Sequence, residues 1–448
     1  MTQHYATLIS ALVALSLTAC DAEGQGAPDE KPPLGAEPVA GALEAGAEAG
    51  TEAGAEAEAG AEGGAQLSPS CEPGSIQNQD LLPELRSTQI HPDAVWDGEA
   101  FWVTWTLPND ESKFEIWAGR FACDMSPLVA PFALDQSPGM NDTDSVVAVQ
   151  GDQVLIAWMR DNSFMGGEEY NLSTLTQRLD RVSGERLGEL STLALTIEGS
   201  PREGNLWMPD LSASPEGGYV VVGAWGNPEV NSFQVVMIPL NEEGVAGEGW
   251  LVEPEGRDQI NPVVSRYGQT FDVLWSGKGA EDAEGFWVKT WRVSEGAWSS
   301  DELIDLSGRE WVSASVGRGL KGTYRDASTP SSEAQRGAPY LIGSKSNGSL
   351  ELITPDGTRG SAGISGQSHL GPALGYGVIA SYERISGNQN KVWWRGVSAE
   401  GSLQPEAYFM QDGPAAPYPL SITPFPGGHL ALWAQGYNPE FMLKATLF

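Results

Sequence analysis

The chain has 448 residues, with 25 Lys+Arg against 60 Asp+Glu, four His, three Cys and a net charge of −35. That charge repels phosphate backbones and anionic headgroups, which argues against nucleic-acid binding and against docking on lipid through a basic patch. Fifty-five Gly, 30 Pro and 16 Trp, with only 19% charged residues, are poor helix material and good material for short strands joined by turns.

Residues 5–19 read YATLISALVALSLTA. The apolar stretch from Ala6 to Leu17 is too short to span a bilayer and suits the h-region of a signal peptide. It ends in Leu17-Thr18-Ala19-Cys20. These residues resemble the bacterial lipoprotein signal, the lipobox, in which small residues precede a cysteine that is thioether-linked to diacylglycerol and becomes the mature N-terminus. The n-region, Met1 to His4, departs from that pattern in having no Lys or Arg. The resemblance implies a signal peptide over residues 1–19, lipidation of Cys20, and export to the bacterial cell envelope, at the outer membrane or cell surface. Each buried CH₂ of the acyl chains would contribute about 0.8 kcal/mol to attachment.

From Asp21 to Ser70 the composition shifts to 14 Ala, 10 Gly and 9 Glu among 50 residues, in a degenerate Ala-Glu-Ala-Gly repeat. The segment has no aromatic residue and too little apolar surface to offset the entropy of ordering. Recurrent Gly opposes the helix that Ala and Glu favour, at about 1 kcal/mol per insertion. Eleven acidic residues and one Lys give it a charge of −10. Residues 20–70 therefore read as a lipidated Cys followed by a disordered, self-repelling tether.

The 378 residues from Cys71 to Phe448 contain a repeat. Gly98 to Trp105, Gly151 to Trp158, Gly218 to Trp225, Gly268 to Trp275, Gly317 to Tyr324 and Gly375 to Tyr382 are each seven residues apart, and Gly428 to Trp433 is a shorter seventh copy. The aromatics recur at intervals of 53, 67, 50, 49, 58 and 51 residues, each with room for four short strands. Further strand-like runs follow the copies, as in Lys113 to Phe121, Phe286 to Val293 and Lys391 to Val397. The expected fold is all-β: a seven-bladed β-propeller of four-stranded antiparallel blades over residues 71–448. Each Gly is expected in the turn between the innermost and second strands, and each aromatic at the end of the second strand, packed between blades. Too little chain follows Trp433 for a complete last blade, so a strand near Asp80 to Ser87 is expected to close the ring. The pattern resembles the repeat of uncharacterised propeller lipoproteins from myxobacteria-like bacteria. No copy matches the S-x-D-x-G-x-T-W box of sialidase-type propellers, and Trp96-Asp97 ends an inner strand where a WD40 repeat would end a blade.

With Cys20 lipidated, Cys71 and Cys123 remain, and an even pair in an exported chain suggests a disulfide. Fourteen residues before the aromatics stand His91, Asp144, Asn261 and Glu310, with Asp210 and His369 one position off that register. Gln89, Gln259 and Gln367 lie close by. These positions begin the inner strands, at one mouth of the central channel, where such groups could bind a sugar, a peptide or a cation. Asp144, Asp210 and Glu310 could also supply an acid/base pair for glycoside hydrolysis. No G-x-S-x-G, CxxC or HExxH pattern occurs, so neither a serine elbow nor zinc is indicated. Asn141-Asp142-Thr143-Asp144 is read as a turn, not as a calcium loop. No cofactor is implied. The expected function is a non-catalytic binding or interaction module at the envelope, monomeric, attached to the membrane by its lipid and taking a glycan or protein ligand. The alternative is a carbohydrate-active hydrolase or lyase working at the channel mouth; a third possibility is a structural envelope protein.

Overall fold

The computed structural model describes residues 71–448 apart from several inter-strand segments, the longest being 83–89, 162–171, 318–339, 362–372, 397–407 and 414–420; over residues 293–391 it describes backbone pairing alone. The signal segment and tether of the sequence analysis lie outside the described residues, as do Glu310 and His369. No helix occurs among the described residues.

Seven antiparallel blade sheets follow one another along the chain, six of four strands and one, blade 4, with a fifth short strand, Ile304–Asp305, that also pairs with its third strand. Blade 1 is Ile90–Trp96, Phe101–Pro108, Phe114–Phe121 and Pro127–Ala133, and blade 2 is Asn141–Gln150, Gln153–Asp161, Leu172–Asp180 and Ser191–Thr192. Blade 3 is Leu206–Ala213, Tyr219–Asn227, Ser232–Leu240 and Trp250–Leu251, and blade 4 is Arg257–Tyr267, Thr270–Lys278, Glu284–Arg292 and Ala297–Trp298. Blade 5 runs Trp311–Gly317, Tyr340–Lys345, Leu350–Ile353 and Arg359–Ser361, and blade 6 runs Ala373–Gly375, Val378–Ser386, Gln389–Gly396 and Tyr408–Gly413. Blade 7 is Ser421–Phe425, Gly428–Tyr437 and Glu440–Leu447, completed by Gln79–Asp80 from the N-terminal side. The first strand of each blade touches the first strand of the next, and that of blade 7 touches that of blade 1. The ring is therefore a closed seven-bladed β-propeller.

Closure comes slightly earlier in the chain than Asp80 to Ser87. Gln79 pairs with Ala445 and Asp80 with Lys444, while the Gly74 and Leu81 amides donate to the Leu447 and Leu443 carbonyls at 2.9 Å each. Asp80 also forms an ion pair with Lys444. Residues 83–89 lie outside the described part of the chain. Cys71 and Cys123 form the expected disulfide, with a Cα–Cα separation of 5.1 Å. It joins the segment before the closing strand to the end of the third strand of blade 1.

The core is divided among the gaps between blades. Trp105 packs with Phe101, Leu430 and Leu432 where blade 7 meets blade 1. Trp158 packs with Trp102 and Val147 between blades 1 and 2. Trp225 lies with Leu155 and Val221 between blades 2 and 3, and Trp275 with Val222 and Val264 between blades 3 and 4. All four are essentially inaccessible to solvent. Burying a large side chain contributes about 1.5–3 kcal/mol, so one aromatic per gap is enough to explain the repeat without a ligand. The aromatics sit inside the second strands; Trp105 is the fifth residue of Phe101–Pro108.

Gly375 ends the first strand of blade 6 and Gly428 begins the second strand of blade 7, so neither lies in the turn, and two further copies depart from the expected register. In the fifth, Gly317 ends the first strand and pairs with Tyr340, so the second strand is Tyr340–Lys345 and does not contain Tyr324. In the third, the Gly lies at the end of a longer connection, because Ala213 pairs with Tyr219 whereas Gln150 pairs with Gln153 in blade 2. Gly218 there has φ +72, and a Cβ would lie 2.1 Å from the Leu240 carbonyl oxygen. Only glycine fits that close approach. The constant Gly-to-Trp distance therefore hides turns of different length, and Trp225 stands two ladder positions beyond Trp105 and Trp158.

Candidate functional site

Each of the first four inner strands carries a bulge just after it starts. Register shifts fall between Ile90 and Asp93, Thr143 and Val146, Trp207 and Asp210, and Ile260 and Val263. The bulged residues are His91, Asp144, Met208 and Asn261, with φ of 54°, 54°, 48° and 52°. A non-glycine side chain in the left-handed region costs about 1–2 kcal/mol, yet the conformation recurs in four consecutive blades. A bulge turns its side chain out of the pleat, here at the end of the channel where the inner strands begin. Pro92, Pro209 and Pro262 follow three of the four. Proline has no N–H, so it removes the donor that a bulge would leave outside the ladder.

The bulges bring two of the expected residues together. His91 of blade 1 places Nδ1 3.3 Å from Oδ1 of Asp144 of blade 2, and the two side chains are 38% and 29% exposed. Thr143 Oγ1 donates to the other carboxylate oxygen of Asp144 at 3.3 Å. A carboxylate that accepts from Nδ1 fixes the imidazole tautomer and makes Nε2 the basic nitrogen. Such a pair can accept and return a proton at a surface open to a ligand. Asn261 is exposed, and its amide donates to Ser276 Oγ at 3.5 Å.

Asp210 is placed differently. It is not the bulged residue of blade 3 but follows the bulge, and it is 7% exposed. Its Oδ2 accepts the Val264 amide of blade 4 at 2.8 Å. Asp93 holds the matching position in blade 1, where it accepts the Val147 amide of blade 2 at 3.0 Å and the Ser421 hydroxyl of blade 7 at 3.2 Å. Both carboxylates bind one blade to the next. Gln259 does the same from blade 4, its side-chain oxygen 2.7 Å from the Val235 amide of blade 3.

The segment Asn141–Asp144 is not a turn but the start of the blade 2 inner strand. Arg160 binds both oxygens of Asp142, at 2.7 and 2.6 Å, and also binds Asp135. Burial pushes the Asp142 carboxyl above its ordinary pKa, against the pull of the Arg160 guanidinium. At the opposite end of the channel, Asp97 is fully buried and takes Arg120 Nε at 2.7 Å with the Glu99 and Ala100 amides. Arg181 of blade 2 donates to the Asp97 carbonyl at 2.8 Å, so the Trp96-Asp97 pair is an inter-blade clamp. A cleft of about 640 Å³ lies outside the ring, between Phe132 of blade 1 and Ser183 to Arg186 of blade 2. Its charged groups are Glu185 and Arg186, and Arg186 donates to the Ala133 carbonyl at 3.0 Å.

Met208, the third bulged residue, and Trp207 beside it are not among the residues expected from the sequence. Both stand in Trp207-Met208-Pro209, and the proline, shared with His91-Pro92 and Asn261-Pro262, is the signal that marks them.

No protein-family model matches the sequence, and no curated protein matches it. Among solved structures, the chain is similar to a Trypanosoma rangeli sialidase bound to the inhibitor DANA, at 11% identity and a TM-score of 0.47, over 81% of this chain and 55% of that one. It is similar to a subtype N10 neuraminidase-like protein of A/little yellow-shouldered bat, at 9% identity and a TM-score of 0.42, over 83% and 97% of the two chains. It is also similar to the β-propeller domain of the Trilobed protease from Pyrococcus furiosus, at 9% identity and a TM-score of 0.45, over 81% and 96%. That domain is described as having an open velcro topology, whereas here Gln79–Asp80 closes the last blade. The chain spans about half the length of the Trypanosoma sialidase chains it matches. Sialidases and neuraminidase-like proteins recur among these neighbours, and the expectation of a non-catalytic binding module is not kept. At identities near 10% the likeness itself shows the propeller fold alone.

Proposed function

We propose that the protein is a carbohydrate-active enzyme, a hydrolase or lyase, with its site at the channel mouth where the inner strands begin. The observation that carries this reading is the His91–Asp144 pair: two blades each spend a left-handed bulge to hold an acid/base couple, 3.3 Å apart and open to solvent. In this role His91 is the proton-transferring group, Asp144 fixes its tautomer and stabilises the imidazolium, and Asn261 offers a hydrogen-bonding amide two blades on. The test is release of new reducing ends or unsaturated ends from a panel of polysaccharides. Wild-type release that is lost in Asp144→Asn and His91→Asn supports the reading; no release from any glycan overturns it.

The chain acts at the bacterial envelope, held by a lipid on Cys20 and spaced from the membrane by residues 21–70. The support is the h-region ending in Leu17-Thr18-Ala19-Cys20 and the acidic, aromatic-free composition that follows. Incorporation of labelled fatty acid that disappears in Cys20→Ser tests it; equal labelling of the variant would sink it.

A further inference from the structure

Trp207 and Phe233 form a ring pair with centroids 4.6 Å apart and planes at 49°. They do not belong to the buried clusters that hold the described blades together. Both are only partly buried. Trp207 lies on the face of its strand opposite Leu206, which packs toward blade 2, and it immediately precedes the bulged Met208. Its ladder partner is Ala224, and that of Phe233 is Gly226. These small residues give the two rings room to lie against each other at the rim. The position that Trp207 occupies in blade 3 is held in blade 2 by Thr143, the residue that hydrogen-bonds Asp144. The aromatic pair is therefore at the same level of the channel as the acid/base pair, on the neighbouring blade.

Two positive charges described at this end, Arg160 and Lys278, are matched by carboxylates. Arg160 is shared by Asp142 and Asp135, and Lys278 lies 3.3 Å from Asp258. Asp258 in turn takes the Ser232 hydroxyl at 3.1 Å, next to Phe233. The chain as a whole carries −35. Recognition of an anionic sugar calls for guanidinium or ammonium groups in excess of local carboxylates, and the described residues of the mouth have the opposite balance.

We infer that the substrate is an uncharged glycan, one of whose sugar rings stacks on Trp207. The electron-rich face of an indole attracts the weakly positive C–H groups on one face of a pyranose, and the contact needs no charge on the sugar. The Asn261 amide and the Lys278–Asp258 pair supply donors and acceptors for hydroxyls around that ring. The inference rests on the proposed glycan chemistry and narrows it. An eliminating lyase needs a carboxyl group on the sugar to acidify the proton it removes, so an uncharged substrate leaves hydrolysis. In that reaction water gives its hydroxyl to the anomeric carbon and its proton to the departing glycosidic oxygen, with no oxidant or reductant required.

The test compares neutral hexose oligosaccharides with uronate-containing and sialylated ones, using the full-length protein and its Trp207→Ala and Trp207→Phe variants. Neutral oligosaccharides should be cleaved in preference. Trp207→Ala should raise KM by about ten-fold or more with kcat little changed, and Trp207→Phe should recover most of the loss. An unchanged far-ultraviolet spectrum and Tm would show that both variants are folded. Preferential cleavage of anionic glycans, or a folded Trp207→Ala with wild-type KM, overturns this inference while leaving the glycan reading in place. Cleavage of no glycan overturns both.

Discussion

The carboxylate of Asp210 in blade 3 accepts the backbone N–H of Val264 in blade 4 at 2.8 Å. Asp93 makes the same bond to Val147 between blades 1 and 2. Inner strands of neighbouring blades do not share a ladder, so these bonds satisfy amides that face a gap. Asp210→Ala would leave the Val264 amide without this acceptor and should cost about 1–3 kcal/mol in denaturant unfolding. Asp210→Asn keeps an oxygen in place and should cost less. Equal stability of Asp210→Ala and wild type would remove the staple from the account.

The His91–Asp144 pair should behave in the opposite way. Both side chains are more than a quarter exposed, and exposed ion pairs contribute little to stability. Asp144→Asn should therefore leave Tm nearly unchanged while glycan cleavage falls about 10²–10⁴-fold, the usual worth of a positioned acid or base. A large loss of Tm with activity per folded molecule intact would identify a structural pair.

The Cys71–Cys123 bridge closes a loop with a sequence separation of 52. In the chain-entropy picture that contributes at most about 4 kcal/mol. The double Cys→Ser variant should unfold at lower denaturant than the wild type, with a slope that reflects a less constrained unfolded chain. Unfolded, unreduced protein lacking residues 1–20 should show no free thiol; two thiols per chain would refute the bridge.

Asp142 sets a pH dependence whose sign can be worked out. Its folded pKa is raised above 3.8 because burial disfavours the carboxylate, with the Arg160 contacts acting against that. A raised folded value means that the native state holds the proton more tightly than the unfolded chain does. The stabilising contribution is therefore complete below 3.8 and is lost as pH rises through the folded value. Asp142→Asn cannot titrate, so its Tm difference from wild type should change across that window and level off on either side. A constant difference across the window would contradict the shift.

Much of the fold was legible because blade packing repeats one requirement: a large aromatic in each gap and a turn before the strand that carries it. Trp105, Trp158 and Trp275 met that rule at one spacing and revealed the ring. The site was less legible because it depends on bulges, and a bulge changes register without changing composition. Counting back from Trp105 and Trp158 reached the bulged residues His91 and Asp144. Counting back from Trp225 reached Asp210, because the longer turn before Tyr219 shifts that Trp by two ladder positions. The X-Pro pairs at Pro92, Pro209 and Pro262 carried the missing information, since a proline inside an inner strand fits only where the ladder is interrupted. Trp207 escaped notice because sixteen tryptophans made each one look like a packing residue.

Cys71 comes eight residues before Gln79, the start of the two-residue strand that closes blade 7. If residues 21–70 are the proposed tether, tension along them would meet the disulfide first and pass covalently to Cys123 in blade 1. The short closing ladder lies inside the covalent loop and is shielded from that load. While the bridge is oxidised, a pull on the tether should not peel the ring open at its seam; once it is reduced, the seam becomes the first element in the line of force.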